Sequence, residues 1–221
     1  MINILHKEKD FIVCVKPQGI PSQPDTTESE DMTSLLRAHL TEMNENSDIF
    51  VVHRLDRATG GIILYARNKN AAAAFSQLVA EKNGFDKEYL AIVANTPDEQ
   101  CGNMTNYLLK DRAKKKAFVV KNERKGSKLA SLDYDVVKTS AVGEKLFSLI
   151  HIKLNTGRFH QIRAQFSSRG MPIYGDGKYG SREKAPNFAL WASKLSFVYK
   201  GKNYEFEKNP DFDSIPWNLF N

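Results

Sequence analysis

Cysteine is scarce in this sequence. Only Cys14 and Cys101 occur among 221 residues, with no CxxC spacing and no companion ligands nearby. That argues against a disulfide framework or a zinc knuckle and fits a reducing compartment. Long apolar runs are also missing. The opening MINILHKEKDF lacks the hydrophobic stretch of a secretory signal, and no segment approaches transmembrane length, so a cytoplasmic protein without a membrane partner is expected. The five histidines (6, 39, 53, 151, 160) show no HExxH or similar ligand spacing, which leaves no zinc site to propose. There is no P-loop. Gly175-Asp176-Gly177-Lys178-Tyr179-Gly180 literally reads GxGxxG, but Pro186 follows soon after, no helical period is present and no βαβ unit surrounds it, so dinucleotide binding lacks its required context. No internal repeat or low-complexity tract is present.

What the chain does have is apolar material and positive charge. Hydrophobic residues make up 41%, enough for a substantial core, and the length fits one large domain spanning 1–221, or one domain with an inserted lobe. Lys plus Arg outnumber Asp plus Glu by 32 to 26, a net +6 that favours polyanionic partners, RNA or DNA first. Alternation and turn signals place strands at 10–15, 62–66, 88–94, 117–120, 130–136 and 146–154, and a hairpin at 195–198 and 204–206 around Gly201. Helices are expected at 33–43, 70–82 and 157–169. Strands outnumber helices and the connections read as hairpins, which gives an α+β class with a mostly antiparallel sheet.

Four segments carry candidate chemistry. In Val51–Gly61 the carboxylate of Asp56 sits between Arg54 and Arg57, in a turn between two apolar strands. Neighbouring cations favour its ionised form, and a turn on a rigid strand pair can present it to a substrate. The same pattern also fits a solvated turn with weak surface ion pairs. In Leu154–Arg163 a Thr-Gly pair opens the third helix, with Arg158 and His160 in its first turn and Arg163 one turn on. This is either a phosphate-attracting helix start or an amphipathic helix with a basic outer side. In Lys87–Val93, Lys87, Tyr89, Ala91 and Val93 share one strand face, where a tyrosine serves core or site. Finally, Lys110, Arg112, Lys114, Lys115, Lys116, Arg124, Lys125 and Lys128 form a basic cluster, a solvated hairpin or a track for a phosphate backbone.

Together these segments resemble one family. His53-Arg54-Leu55-Asp56-x-x-Thr59-x-Gly61 resembles the HRLDxxTSG signature of the RluA-type RNA pseudouridine synthases, and Thr156-Gly157-Arg158-x-His160-Gln161-Ile162-Arg163 its TGRxHQIR. Lys87-x-Tyr89-x-Ala91-x-Val93 is similar to KxYxAxV, Lys16-Pro17-x-Gly19 to KPxG, and Pro172-Ile173-x-Gly175-Asp176-x-x-Tyr179-Gly180 to PIxGDxxYG. Leu190-x-Ala192 is similar to LHA. The matches follow the family's order over residues 10–198. Gly60 departs from the Ser of TSG, Arg67 stands where Lys is common after Ala, and Trp191 replaces the His of LHA. No S4-like RNA-binding domain is expected ahead of the catalytic segment, so recognition is expected to come from the catalytic domain itself.

The resemblance implies a pseudouridine synthase fold: a mostly antiparallel mixed central sheet with flanking helices and loops and an active-site cleft. It implies isomerisation of uridine in structured RNA, ribosomal or transfer RNA, by breaking the C1′–N1 bond, turning the base and forming C1′–C5. No redox change or net hydrolysis occurs, so no cofactor or metal is expected. Asp56 is the implied nucleophile, acting at C1′ or on a 2′ proton. Arg163 is its implied ion-pair partner, and Arg163→Met is expected to leave folding largely intact while cutting activity. Tyr89 is the residue implied to stack on the base and to assist removal of the C5 proton. Arg54 and His53 are implied in phosphate contact or extrusion of the nucleotide, a step that a stacked base requires. Thr59, Lys87, Arg158, His160 and Leu190 complete the implied substrate-binding set. A monomer is expected. Two other readings remain: a catalytically silent RNA-binding or RNA-folding protein on the same scaffold, and a carboxylate glycosidase, for which no second carboxylate stands out as general acid.

Overall fold

The computed structural model describes residues 2–26, 29–81 and 84–221, and these divide into two units. The first runs to Lys87 and takes in Trp191–Pro210; the second consists of Glu88–Leu190 and Asp211–Asn221. Residues 27 and 28, ahead of the expected first helix, lie outside the described residues, as does Lys82 at the end of the expected second helix.

The first unit contains β1 (Asn3–Lys7), β2 (Phe11–Lys16), α1 (Met32–Glu42), β3 (Phe50–Val51), β4 (Gly60–Ala66), α2 (Lys69–Glu81) and the first three residues of β5 (Phe85–Ala94). The chain returns to it with β10 (Leu190–Tyr199), from Trp191 onward, and β11 (Lys202–Glu207). Strand β2 pairs antiparallel with β1 and with β4, and β3 pairs antiparallel with β4. Strand β10 runs parallel to β4 through Trp191↔Gly60 and Ala192↔Gly61, and pairs antiparallel with β11. Strands β2 and β4 are buried at every position, which explains the apolar runs Phe11–Val15 and Ile62–Ala66; the last residue of β2, Lys16, is a buried cation. Phe11, Phe75, Phe197 and Tyr199 pack edge-on and stacked at centroid distances of 4.5–5.9 Å, sealing α2 against the sheet.

Helix α1 begins where a cap exists. The buried Asp31 side chain accepts from the Thr33 and Ser34 backbone N–H groups at 2.8 and 3.3 Å, and from both hydroxyls at 2.6 Å. Burial works against its charge, but these hydrogen bonds outweigh it and hold the carboxyl below its usual range. Strand β1 was not foreseen. NILHK carries no clean alternation, and it becomes a strand because β2 offers it an edge.

The second unit holds the rest of β5, then β6 (Cys101–Asp111), β7 (Lys116–Val120), β8 (Ser127–Val142), β9 (Lys145–Leu154) and α3 (Gln161–Ser167), with single 3-10 turns at Gly177–Tyr179 and Trp217–Phe220. The strands pair antiparallel in the order β5-β9-β8-β6-β7. Leu108, Ala117, Ala130, Ala164 and Tyr179 form a core between α3, the sheet and the 177–179 turn. Both cysteines are reduced, Cys14 buried with its thiol pushed up to about 12 by desolvation and Cys101 exposed. Among the described residues no helix is long and apolar enough to cross a membrane.

Two departures from the family signature meet in the first unit. A Cβ built on Gly60 would lie 2.3 Å from the Trp191 ring, whose indole N–H donates to the Lys208 carbonyl at 2.7 Å. Gly60 is small because Trp191 is large. Gly60→Ser is expected to lower stability by about 1–3 kcal/mol through overpacking. Gly60→Ser/Trp191→Ala should be less destabilised than the sum of its single substitutions, as read from urea unfolding midpoints.

Candidate active site

The Asp56 loop is held from one side by the turn that follows β2. Ser22 Oγ donates to the Leu55 carbonyl at 3.0 Å and accepts from the Leu55 N–H at 3.1 Å. Gly19 N–H donates to the Arg57 carbonyl at 2.9 Å, Arg57 Nε returns a bond to the Gly19 carbonyl at 2.8 Å, and Gln18 Nε2 donates to the Ala58 carbonyl at 2.8 Å. Thr59 N–H closes the loop on the Asp56 carbonyl at 2.9 Å. Tyr65, on β4, anchors the turn in its own right through its hydroxyl to the Ser22 carbonyl at 2.7 Å. The result is a short loop with the carbonyls of residues 55–58 paired, presenting a half-buried Asp56 between exposed Arg54 and Arg57. Thr59 is buried beneath it.

His53 stands apart from the phosphate-contacting role expected of it. It is buried, and its Nε2 accepts from the Leu64 N–H at 3.1 Å, which puts the proton of the neutral ring on Nδ1. That Nδ1 is buried and has no hydrogen-bond partner among the described residues. Burial, with the Lys87 charge adding to it, pushes the ring down to about 3. An uncharged imidazole packed edge-on against Phe85 at 5.5 Å braces β4; it does not offer a cation to phosphate. Lys87 is half-buried near it, its ammonium lowered from the usual range by burial.

In the second unit the TGRxHQIR segment folds differently from the expected helix start. Helix α3 begins only at Gln161, and His160 precedes it as a left-handed cap at φ 51°. The physical reason is a side-chain knot. Gln161 Oε1 accepts from the Arg158 N–H at 3.0 Å and from the Thr156 hydroxyl at 2.7 Å, while its Nε2 donates to the Ser131 carbonyl at 3.0 Å. These bonds take the place of helical ones across 156–160. Arg158 donates from Nε to the Leu129 carbonyl at 2.9 Å, tying this loop to β8. His160 stacks on Phe159 with ring centres 3.7 Å apart, and its Nδ1 lies 3.0 Å from the Tyr179 hydroxyl. Lys110 lies over the Phe159 ring at 4.4 Å and Lys116 over the Tyr179 ring at 4.6 Å. Two members of the basic cluster thus stand beside the loop that carries Arg158 and His160. Tyr89 is buried on β5 opposite Ile152, and Leu190 is buried at the start of β10.

Arg163 makes a bidentate pair with Asp176, Nε to Oδ2 at 2.6 Å and Nη2 to Oδ1 at 2.9 Å. Both are buried, 6% and 2% exposed. The guanidinium also lies over the rings of Tyr179 at 4.8 Å and Phe188 at 4.4 Å. Asp176 and Tyr179 were quoted in the PIxGDxxYG match but given no role. The only signal in the sequence was their membership of that match, because 13 residues separate Asp176 from the arginine it holds. Among the described residues no three His, Cys, Asp or Glu side chains gather to hold a metal ion.

The buried pair revises the expectation that Arg163→Met would fold normally. Removing one partner strands the other's charge in the interior, which costs about 3–5 kcal/mol. Arg163→Met should therefore lose that much stability in urea unfolding. Arg163→Met/Asp176→Leu, which removes both charges, should regain a large part of it.

The chain matches the family model described as RNA pseudouridylate synthase over residues 10–168. It is 31% identical over 199 residues to an uncharacterized RNA pseudouridine synthase of Haemophilus influenzae, covering 90% of this chain and 83% of that protein. It is also 31% identical over 185 residues to ribosomal large subunit pseudouridine synthase D of Borreliella burgdorferi, covering 81% of this chain but 55% of that longer protein. The fold is shared with human RNA pseudouridylate synthase domain containing 1, at a TM-score of 0.81 and 21% identity, over 98% of this chain and 86% of the other. The ordered motifs and the matched family model agree: the chain belongs to the RNA pseudouridylate synthase family, an isomerase family, as its resemblance to the RluA type implied.

Proposed function

We propose that this protein converts specific uridines of structured RNA to pseudouridine with Asp56 as the nucleophile. The observation that carries the reading is the Asp56 loop, whose backbone is tied to the 18–22 turn while its carboxylate stays half-buried between two exposed arginines. A carboxylate that must meet one atom of a sugar benefits from being fixed before the substrate arrives. Tyr89 stacks on the extruded base and assists loss of the C5 proton. Arg163, locked by Asp176, supplies a fixed positive charge to the reaction, and Arg54 contacts the flanking phosphate. Thr59, Lys87, Arg158, His160 and Leu190 complete the substrate-binding set, and His53 braces β4.

Ribosomal RNA is the favoured substrate, because relatives in Borreliella burgdorferi and Rickettsia bellii are named for the ribosomal large subunit. The strand pair β6–β7 supports an RNA partner of either kind, with Lys110, Arg112, Lys114, Lys115 and Lys116 at and beside its tip. Such charges add affinity that falls with salt.

The test is incubation of ribosomal and transfer RNA with wild type and with Asp56→Ala, followed by quantification of pseudouridine. Wild type is expected to form it and Asp56→Ala to form none while still binding RNA. Pseudouridine formation by Asp56→Ala, or none by wild type on any RNA, contradicts the proposal, the latter favouring a silent RNA-binding scaffold. With C5-tritiated uridine, Tyr89→Phe should release label more slowly; an unchanged rate removes the hydroxyl from proton transfer.

A further inference from the structure

Lys16 is a fully buried lysine outside the set of residues assigned to the reaction. Its Nζ donates to three backbone carbonyls: Pro17 at 2.8 Å, Ile20 at 2.7 Å and Arg57 at 3.0 Å. An ammonium carries three N–H donors and no acceptor, so each donor here has one partner. Two of the partners lie in its own turn. The third crosses 41 residues of chain to the peptide that follows Asp56. The Arg57 carbonyl also accepts from the Gly19 N–H, so it is held from two directions. Burying a cation is costly, and an apolar side chain could fill the same volume beneath a loop with no catalytic demand. Burial pulls the group down to about 7; the Asp56 carboxylate pushes it back up and the Arg57 guanidinium pushes it down. The charges of Lys16 and Asp56 therefore act on each other.

We propose that Lys16 is a positioning residue for the reaction, its ammonium pinning the peptide next to Asp56 and setting where the carboxylate meets the sugar. The proposal rests on the reading of Asp56 as nucleophile. Lys16 touches no substrate atom and acts through the Arg57 carbonyl. Its signature is therefore a fall in the rate of the chemical step without a matching change in RNA affinity.

The experiment is single-turnover kinetics and RNA-binding titration of wild type, Lys16→Met, Lys16→Arg and Asp56→Asn, at a temperature where circular dichroism shows each variant folded. In Lys16→Met the rate at saturating enzyme is expected to fall about 100-fold, the scale of an ångström-sized misplacement of a catalytic group, with the Kd for RNA within about threefold of wild type. Lys16→Arg keeps the charge but cannot set three donors in the same compact geometry, and should fall between the two. A folded Lys16→Met that turns over at the wild-type rate overturns the proposal, as does a loss that lies wholly in Kd. Should Lys16→Met not fold, Lys16→Arg decides alone: a slowed chemical step at unchanged Kd supports the proposal and a wild-type rate overturns it. Asp56→Asn separates this inference from the reading beneath it. Full activity there removes Asp56 as nucleophile, whereas an inactive Asp56→Asn beside a fully active Lys16→Met removes only Lys16.

Discussion

The hydrogen bonds between the 16–22 turn and the 55–59 loop are the constraint on which the site depends. A carboxylate on an ordinary surface loop samples many positions, and each costs rate when a single sugar carbon must be met. Here two loops that would each be mobile alone satisfy one another's backbone groups. Ser22 takes both polar groups of Leu55, Gln18 takes the Ala58 carbonyl, and Lys16 and Gly19 share the carbonyl of Arg57. The KPxG and HRLD segments are thus halves of one device. Leu55 faces inward and Arg54 and Arg57 face out, so Asp56 is placed by the burial of its neighbour as much as by bonds of its own.

The second unit solves a different problem, how to fix a guanidinium. A long arginine side chain loses considerable rotamer freedom when held, and Asp176 offsets that with two parallel charge-assisted bonds. Tyr179 and Phe188 close over the planar group. Tyr179 also hydrogen-bonds the Ala117 N–H at 2.8 Å, so the turn bearing Asp176 is fastened to β7. The PIxGDxxYG segment is in this sense a support for Arg163 and the hairpin, even though it reads superficially as a nucleotide-binding loop.

Much of this was legible in the sequence, and the failures have physical causes. Strands β2, β4 and β9 announced themselves because burial leaves a strong apolar signal, and α2 because four alanines and Phe75 fit one helical period. Strand β6 was legible only as part of a polar, basic stretch of short strands and hairpins running to about residue 128: its buried residues Met104 and Leu108 are four apart, which suits a helix as well as a strand, and its polar remainder is held by pairing with β7 and β8. Strand β8 was expected only to Val136, because a register shift between Val136 and Lys138 turns Val137 to solvent and breaks the alternation. The late start of α3 was hidden because it depends on Gln161 satisfying Thr156 and Arg158, a tertiary arrangement with no local propensity signal. For the same reason spacing gave no hint that His53 is a buried neutral ring or that Asp176 is the partner of Arg163.

The central claim is that the Asp56 loop is rigid before RNA arrives. Native-state hydrogen exchange of the RNA-free protein measures it at two amides, Leu55 and Thr59, whose N–H groups donate to Ser22 Oγ and to the Asp56 carbonyl. The account predicts that both exchange slowly, with protection approaching that of Leu64 in β4, because opening the first requires the two loops to part and opening the second requires a loop tied down at Leu55, Arg57 and Ala58 to unfold locally. Exchange at the rate of an unprotected surface loop would contradict it and would mean that substrate, rather than the 16–22 turn, orders the nucleophile.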